Sequence, residues 1–241
     1  MKSILFLVNS GKISSNENGG ASVYFSHLEL LHSAGYEIVL LAVVWNEMYV
    51  FIESDYTAVK PFVHSVYSYT IQSNTPKKGF KRGMHAIFNP AKFEYYFINQ
   101  INANFLQKFT TKHAIDVVWC EWRWAAIWAW QSSLKVPIVY AHHDWEYKLA
   151  LLRDKPTFKK RAHTFQKKRV ELMLVKQVNA CISGSYTEAK EIEEIANKKA
   201  FYVPTTYKSV VPSLLPNTNP RLIHLGGMGT TANRLGLERF L

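Results

Sequence analysis

The stretch HHDWEYK, residues 142–148, sets His142, His143, Asp144 and Glu146 close together, directly after the apolar run PIVYA at 137–141. Imidazoles and carboxylates at this spacing could hold a metal ion, move protons as acid and base, or hydrogen-bond a polar ligand. Neighbouring residues of an extended segment point to opposite faces, so His142 and His143 are poorly placed to share one ion. Ligand hydrogen bonding and a purely structural role both stay open. A second chemical position is the pair Gly19 and Gly20, at the start of a segment with helical spacing. The free N–H groups and positive dipole end of a helix favour an anion such as phosphate, and glycine lets a ligand approach the main chain. The same pair could simply permit a turn. Two nucleotide signatures are excluded. The loop from Asn9 to Gly20 has no Gly-x-Gly-x-x-Gly, and SGKIS places Ile13 where a phosphate loop needs Ser or Thr.

These positions all fall just past predicted strands. ILFLV (4–8) and EIVLLAVVW (37–45) are continuous apolar runs of the kind buried on both faces of a parallel sheet, with a helix between them that closes at Gly35. This β-α-β opening predicts an α/β fold with a doubly wound parallel sheet. Further strands are expected at 116–120, 137–141, 178–182 and 200–203. Residues 46–115 are harder to read. PFVHSVYSYTI (61–71) contains a possible strand, and 90–109 has helical spacing with Pro90 well placed as its first residue. Ligands of such sheets sit beyond the carboxyl ends of the strands, which is where the histidines and glycines lie.

WCEWRWAAIWAW (119–130) carries five tryptophans just past another strand. Trp124 and Trp128 share a helix face and read as core, whereas Trp122, at the strand's carboxyl end, could offer a sugar ring or lipid an apolar platform. Between 158 and 176, Phe158, Ala162, Phe165, Leu172 and Val175 form an apolar stripe beside Lys159, Lys160, Arg161, Lys167, Lys168 and Arg169, predicting a long basic helix. The basic, Phe-containing segments 76–88 and 155–169 read as solvated helix faces or as a membrane-surface patch, and no nucleic-acid reading motif accompanies them.

Composition narrows the class. Of 241 residues, 48% are apolar and 14% aromatic, which excludes a disordered chain. The formal net charge of +11 attracts anions without choosing among lipid, nucleic acid and phosphorylated small molecules. No uncharged apolar run is long enough to span a bilayer and the N-terminus lacks a signal-peptide pattern, so a cytoplasmic protein is expected. Cys120 and Cys181 lie in apolar runs and are expected to be reduced and packed. Four prolines interrupt 203–220, so residues 1–205 are expected to form one domain, 206–220 a linker, and 221–241 the start of a second domain.

Four stretches taken in order resemble a GT-B glycosyltransferase, most similar to the retaining family 4 group. They are NGGASVYFSHLELLHSAGYEIVLLAV, VPIVYAHHDWEYKLALLR, KKRVELMLVKQVNACISGSYTEA with Glu171, and LIHLGGMGTTANRLGLERFL. The resemblance implies the N-terminal half of a GT-B architecture, a Rossmann-like acceptor-side domain followed by the opening of a donor-binding domain. It implies a nucleotide-diphosphate sugar as substrate, no separate cofactor, metal-independent retaining transfer, and a glycan or lipid-linked acceptor at a possible anionic membrane surface. Nucleic acid is not an expected partner. By the same resemblance Gly19 and Gly20 approach the donor phosphates and His143 takes the catalytic position, with His142 second. His142, Asp144, Glu146 and Trp122 are expected around the sugar or acceptor. Asn179 and Met228 depart from the family pattern, and its paired-glutamate motif would lie beyond Leu241. The chain alone is therefore expected to be inactive. The rival reading is a non-catalytic peripheral membrane or carbohydrate-binding module with the same fold.

Overall fold

The computed structural model describes residues 2–15, 19–44, 51–71, 90–91, 99–153 and 157–205. Both the expected linker from 206 and the segment 221–241 lie outside these, as does the basic segment 76–88. Among the described residues are strands β1 (Ser3–Asn9), β2 (Glu37–Val44), β3 (Ser65–Thr70), β4 (Val117–Glu121), β5 (Ile138–His142), β6 (Ala180–Ser183) and β7 (Ala200–Tyr202). The helices are α1 (Gly19–Ser33), α2 (Gln100–Lys112), α3 (Arg123–Gln131), α4 (Glu146–Arg153), α5 (Phe158–Gln177) and α6 (Tyr186–Ala196), with a 3-10 helix at Glu53–Val59.

All seven strands are parallel, in the order β3-β2-β1-β4-β5-β6-β7. The strand order therefore reverses between β1 and β4, opening a crevice at their carboxyl ends. Alternation along β1 builds a core on each face. Leu5 and Leu7 pack with Leu106, Trp128 and Leu174 on one side, while Ile4, Phe6 and Val8 pack with Leu28, Leu40 and Tyr56 on the other. Trp124 and Trp128 are buried in the first of these cores, as their shared face predicts. Cys120 and Cys181 are free, buried thiols.

At the opposite edge, side-chain carboxyl and amide oxygens set the register. Asp116 Oδ2 accepts from the Ser3 amide at 2.8 Å, and Asn179 Oδ1 accepts from the Ile138 amide at 2.8 Å. The Asn179 departure thus keeps the one oxygen that position uses.

Two expectations are corrected. The helix drawn through 90–109 does not run unbroken, because Asn99 adopts an extended conformation (φ −128°, ψ 171°) and its side chain accepts from the Asn102 amide, capping a new helix, α2. Helix α5 also turns a different face to the core. Its buried residues are Thr164, Val170, Glu171, Leu174 and Val175, while Phe158 and Phe165 of the predicted stripe are 89% and 60% exposed. Only Val175 belongs to both sets. The polar Glu171 is held inside by ion pairing and backbone hydrogen bonds, which an apolar pattern cannot register.

Candidate functional site

The carboxyl ends of β4, β5 and β6 and the N-terminus of α1 surround a cleft of about 470 Å³. Gly19 and Gly20 form its floor on one side, and Trp122, His142, His143 and Asp144 form its wall. Ser183 and Gly184, leading into α6, close the far side. Two helix N-termini therefore meet the cleft, and both bring partial positive charge to it. A Cβ placed on Gly19 would meet nothing within 4 Å, so the protein's own packing does not demand glycine there. What the missing side chain does is leave the cleft open against the α1 amides.

Behind this wall lies a buried carboxylate that sequence reading missed. Glu121 closes β4 and is wholly buried. Its Oε1 accepts from His27 Nδ1 at 2.7 Å and from Trp119 Nε1 at 2.8 Å, and its Oε2 pairs with His143 Nε2 at 2.8 Å. Burial pushes this carboxyl up, but the charge on and hydrogen bonds from His27 and His143 outweigh it, bringing Glu121 down to about 2. An ionised carboxylate only accepts hydrogen bonds, so it holds a proton on Nε2 of His143 and on Nδ1 of His27. Nδ1 is then the atom through which His143 can bond a ligand or exchange a proton.

The His143 ring is clamped as well as tethered. Trp122 stacks on it at 4.8 Å between ring centres and 16° between planes, and Tyr24 meets it edge-on at 5.8 Å. Trp122 Nε1 donates to the Tyr24 hydroxyl, completing the frame. Burial, reinforced by the Glu121 charge, pushes the Tyr24 hydroxyl well above its ordinary value, so it stays neutral. Trp122 holds this position with φ 75° and ψ 156°, a backbone region that residues with a side chain rarely enter. One face of its ring is occupied by His143, so Trp122 acts first as a support for the histidine.

His142, the last residue of β5, is buried, with its ring edge-on to Trp145 at 4.6 Å. Its Nδ1 lies 3.3 Å from Glu188 Oε2 without hydrogen-bond alignment, and neither ring nitrogen makes a hydrogen bond among the described residues. The contact still matters electrostatically: burial raises Glu188, yet His142 helps bring that carboxyl below its ordinary value.

Glu146 is not brought to the cleft. Its Oε2 accepts from Arg123 Nη2 at 2.8 Å and from Lys167 Nζ at 3.0 Å. Arg123 Nη1 also donates to Glu171 Oε1 at 2.8 Å, and Glu171 accepts from the Glu146 and Tyr147 amides at 3.0 and 3.2 Å, capping α4. Burial pushes Glu171 up to about 7 against the pull of Arg123 and these amides. This cluster fixes the helix that follows the histidines and so fixes the histidine turn. Of the predicted site residues, Gly19, Gly20, Trp122, His142, His143 and Asp144 share the cleft. The signal for Glu121 was present in VVWCE, a charge closing an apolar strand, which folding must partner. His27 carried no such signal.

The fold and cleft define a class: an α/β, Rossmann-like parallel sheet matching the N-terminal half of GT-B glycosyltransferases. Particular solved structures similar to it are a sucrose-phosphate synthase from Thermosynechococcus elongatus and UGT71G1 from Medicago truncatula, the latter complexed with UDP-glucose. The first is 10% identical over 85% of this chain and 48% of its own, with a TM-score of 0.52. The second is 8% identical over 84% of this chain and 51% of its own, with a TM-score of 0.50. The chain thus spans about half the length of these structures, and at such identity the likeness is one of fold. No family profile matches the sequence, and no similar chain was found among curated proteins.

Proposed function

We propose that this chain is the acceptor-side half of a glycosyltransferase that uses a nucleotide-diphosphate sugar, of the retaining, metal-independent family 4 type. The observation that carries the reading is the meeting, in one cleft, of the glycine-opened N-terminus of α1 and the histidine turn after β5. The diphosphate would lie against the Gly19 and Gly20 amides, which offset the negative charge that grows on the departing group. The sugar would lie toward His143 Nδ1, with His142 and Asp144 beside it and Trp122 steadying the imidazole. Glu121 is a positioning residue in this scheme. The acceptor is a glycan or a lipid-linked sugar, reached from the cytoplasmic side of a membrane.

Titration of the isotope-labelled chain with a panel of nucleotide-diphosphate sugars tests this by amide and imidazole NMR shifts. Shifts are expected at Gly19, Gly20 and His143, weakened about tenfold or more by Gly19→Val, which loses close approach and whose Cβ meets no atom of the fold within 4 Å. Shifts that avoid the cleft, or a Gly19→Val variant that binds as well as the parent, would overturn the reading.

A further inference from the structure

We infer that the hairpin of α4 and α5 is a docking surface for an anionic lipid bilayer. The inference stands apart from the sugar-transfer reading, since vesicle binding requires no sugar donor.

The position of α5 along the sheet is fixed at two levels. Asn179, just past its end, pairs with Ile138 at the start of β5, and Glu171 takes the amides of Glu146 and Tyr147 just beyond the end of β5. Residues 158–170 therefore extend about 20 Å past that level, on the side of the sheet that carries the cleft. Every residue from Thr157 to His163 is exposed, as expected of a helix end that has left the domain body.

On this projection Phe158 and Phe165 are seven residues apart and so within about 20° of one another around the helix. They lie opposite the buried Glu171 and Leu174, and among the described residues no core covers them. The last turn of α4, at the same end, adds Leu151 and Leu152, 63% and 76% exposed. Lys159, Lys160, Arg161 and Lys168 are exposed around the same helix, and from Lys155 to Val170 the sequence holds seven Lys or Arg residues and no Asp or Glu. The Thr157 side chain caps α5, so the helix's positive dipole end faces outward at this tip and adds to the cationic field.

Exposed Phe and Leu among cations suit the boundary between headgroups and acyl chains, where rings and leucines leave water and the cations meet lipid phosphates. A nucleic-acid surface would use the cations and leave the four apolar side chains in water. No helix among the described residues is long and apolar enough to cross a membrane. The cleft side of the sheet then faces the bilayer, which suits an acceptor carried on a lipid.

Co-sedimentation of the full chain with vesicles of phosphatidylcholine alone, or mixed with phosphatidylglycerol, tests this. Binding is expected to the mixed vesicles and to be weak on the neutral ones. Phe158→Ser with Phe165→Ser is expected to lower partitioning about tenfold for each ring withdrawn. Lys159→Gln with Arg161→Gln is expected to lower it about thirtyfold on the anionic vesicles. All four positions are exposed, and thermal melts check that the variants fold. Indifference to lipid charge, or binding unchanged in both double variants, overturns the inference. So does concentration-dependent self-association, or duplex DNA binding, that the same substitutions abolish while vesicle binding is absent.

Discussion

Replacing Glu121 by Gln removes a buried charge and keeps its shape. The carboxylate accepts from His27, Trp119 and His143, whereas an amide must turn its NH2 toward one of these donors. The folded carboxyl titrates at about 2 against an ordinary 4.5, and each pH unit is worth about 1.4 kcal/mol, so ionised Glu121 contributes about 3 kcal/mol. The carboxyl is depressed in the folded state. Its contribution is therefore complete above 4.5 and is lost as pH falls toward 2. Urea denaturation should show Glu121→Gln less stable than the parent by about 3 kcal/mol near neutrality, with the gap shrinking to about half near pH 3. In a chain of this size that corresponds to a melting temperature lower by about 6–12 °C at neutral pH. A gap under about 1 kcal/mol at neutrality, or one that stays constant on acidification, would refute the claim that two histidines hold this carboxylate charged.

Arg123→Met leaves Glu146 and Glu171 without the guanidinium between them and should cost about 3–5 kcal/mol by urea denaturation. A loss below about 1 kcal/mol would mean that the helix cap alone holds Glu171. Leu174→Ala should cost about 2–5 kcal/mol, whereas Phe165→Ser should change stability by no more than about 0.5 kcal/mol. Equal losses at these two positions would contradict the orientation of α5.

The strands were legible where burial was complete. β1, β2, β4 and β5 are short apolar runs shielded on both faces, and runs of that kind have few other homes. β3 was obscured because it is an edge strand paired only with β2, and its SVYSYT is largely half-buried or exposed. The stripe on α5 misled because its true inner face contains Thr164 and Glu171, while its outer face carries the exposed rings of Phe158 and Phe165. The histidine turn and the Gly-Gly pair could be found from their places after strands. Glu121 could not be assigned partners, because His27 lies 94 residues away and His143 lies 22 away, and only the folded sheet brings them to one carboxylate. Glu146 looked like part of the turn because it is adjacent in sequence, yet Arg123 and Lys167 draw it off to the side.

The backbone at Trp122 carries one more consequence. An indole kept at φ 75° costs the chain about 1–3 kcal/mol of local strain that glycine would relieve. Any search for thermostable variants will be drawn to that position, and on backbone grounds Trp122→Gly would rank well. It would also strip the histidine of its backing plate and leave the imidazole held only by Glu121 and the edge of Tyr24, and the packing and hydrogen bond lost with the indole offset the strain relieved, so the mouth of the sheet would slacken with no gain in heat resistance.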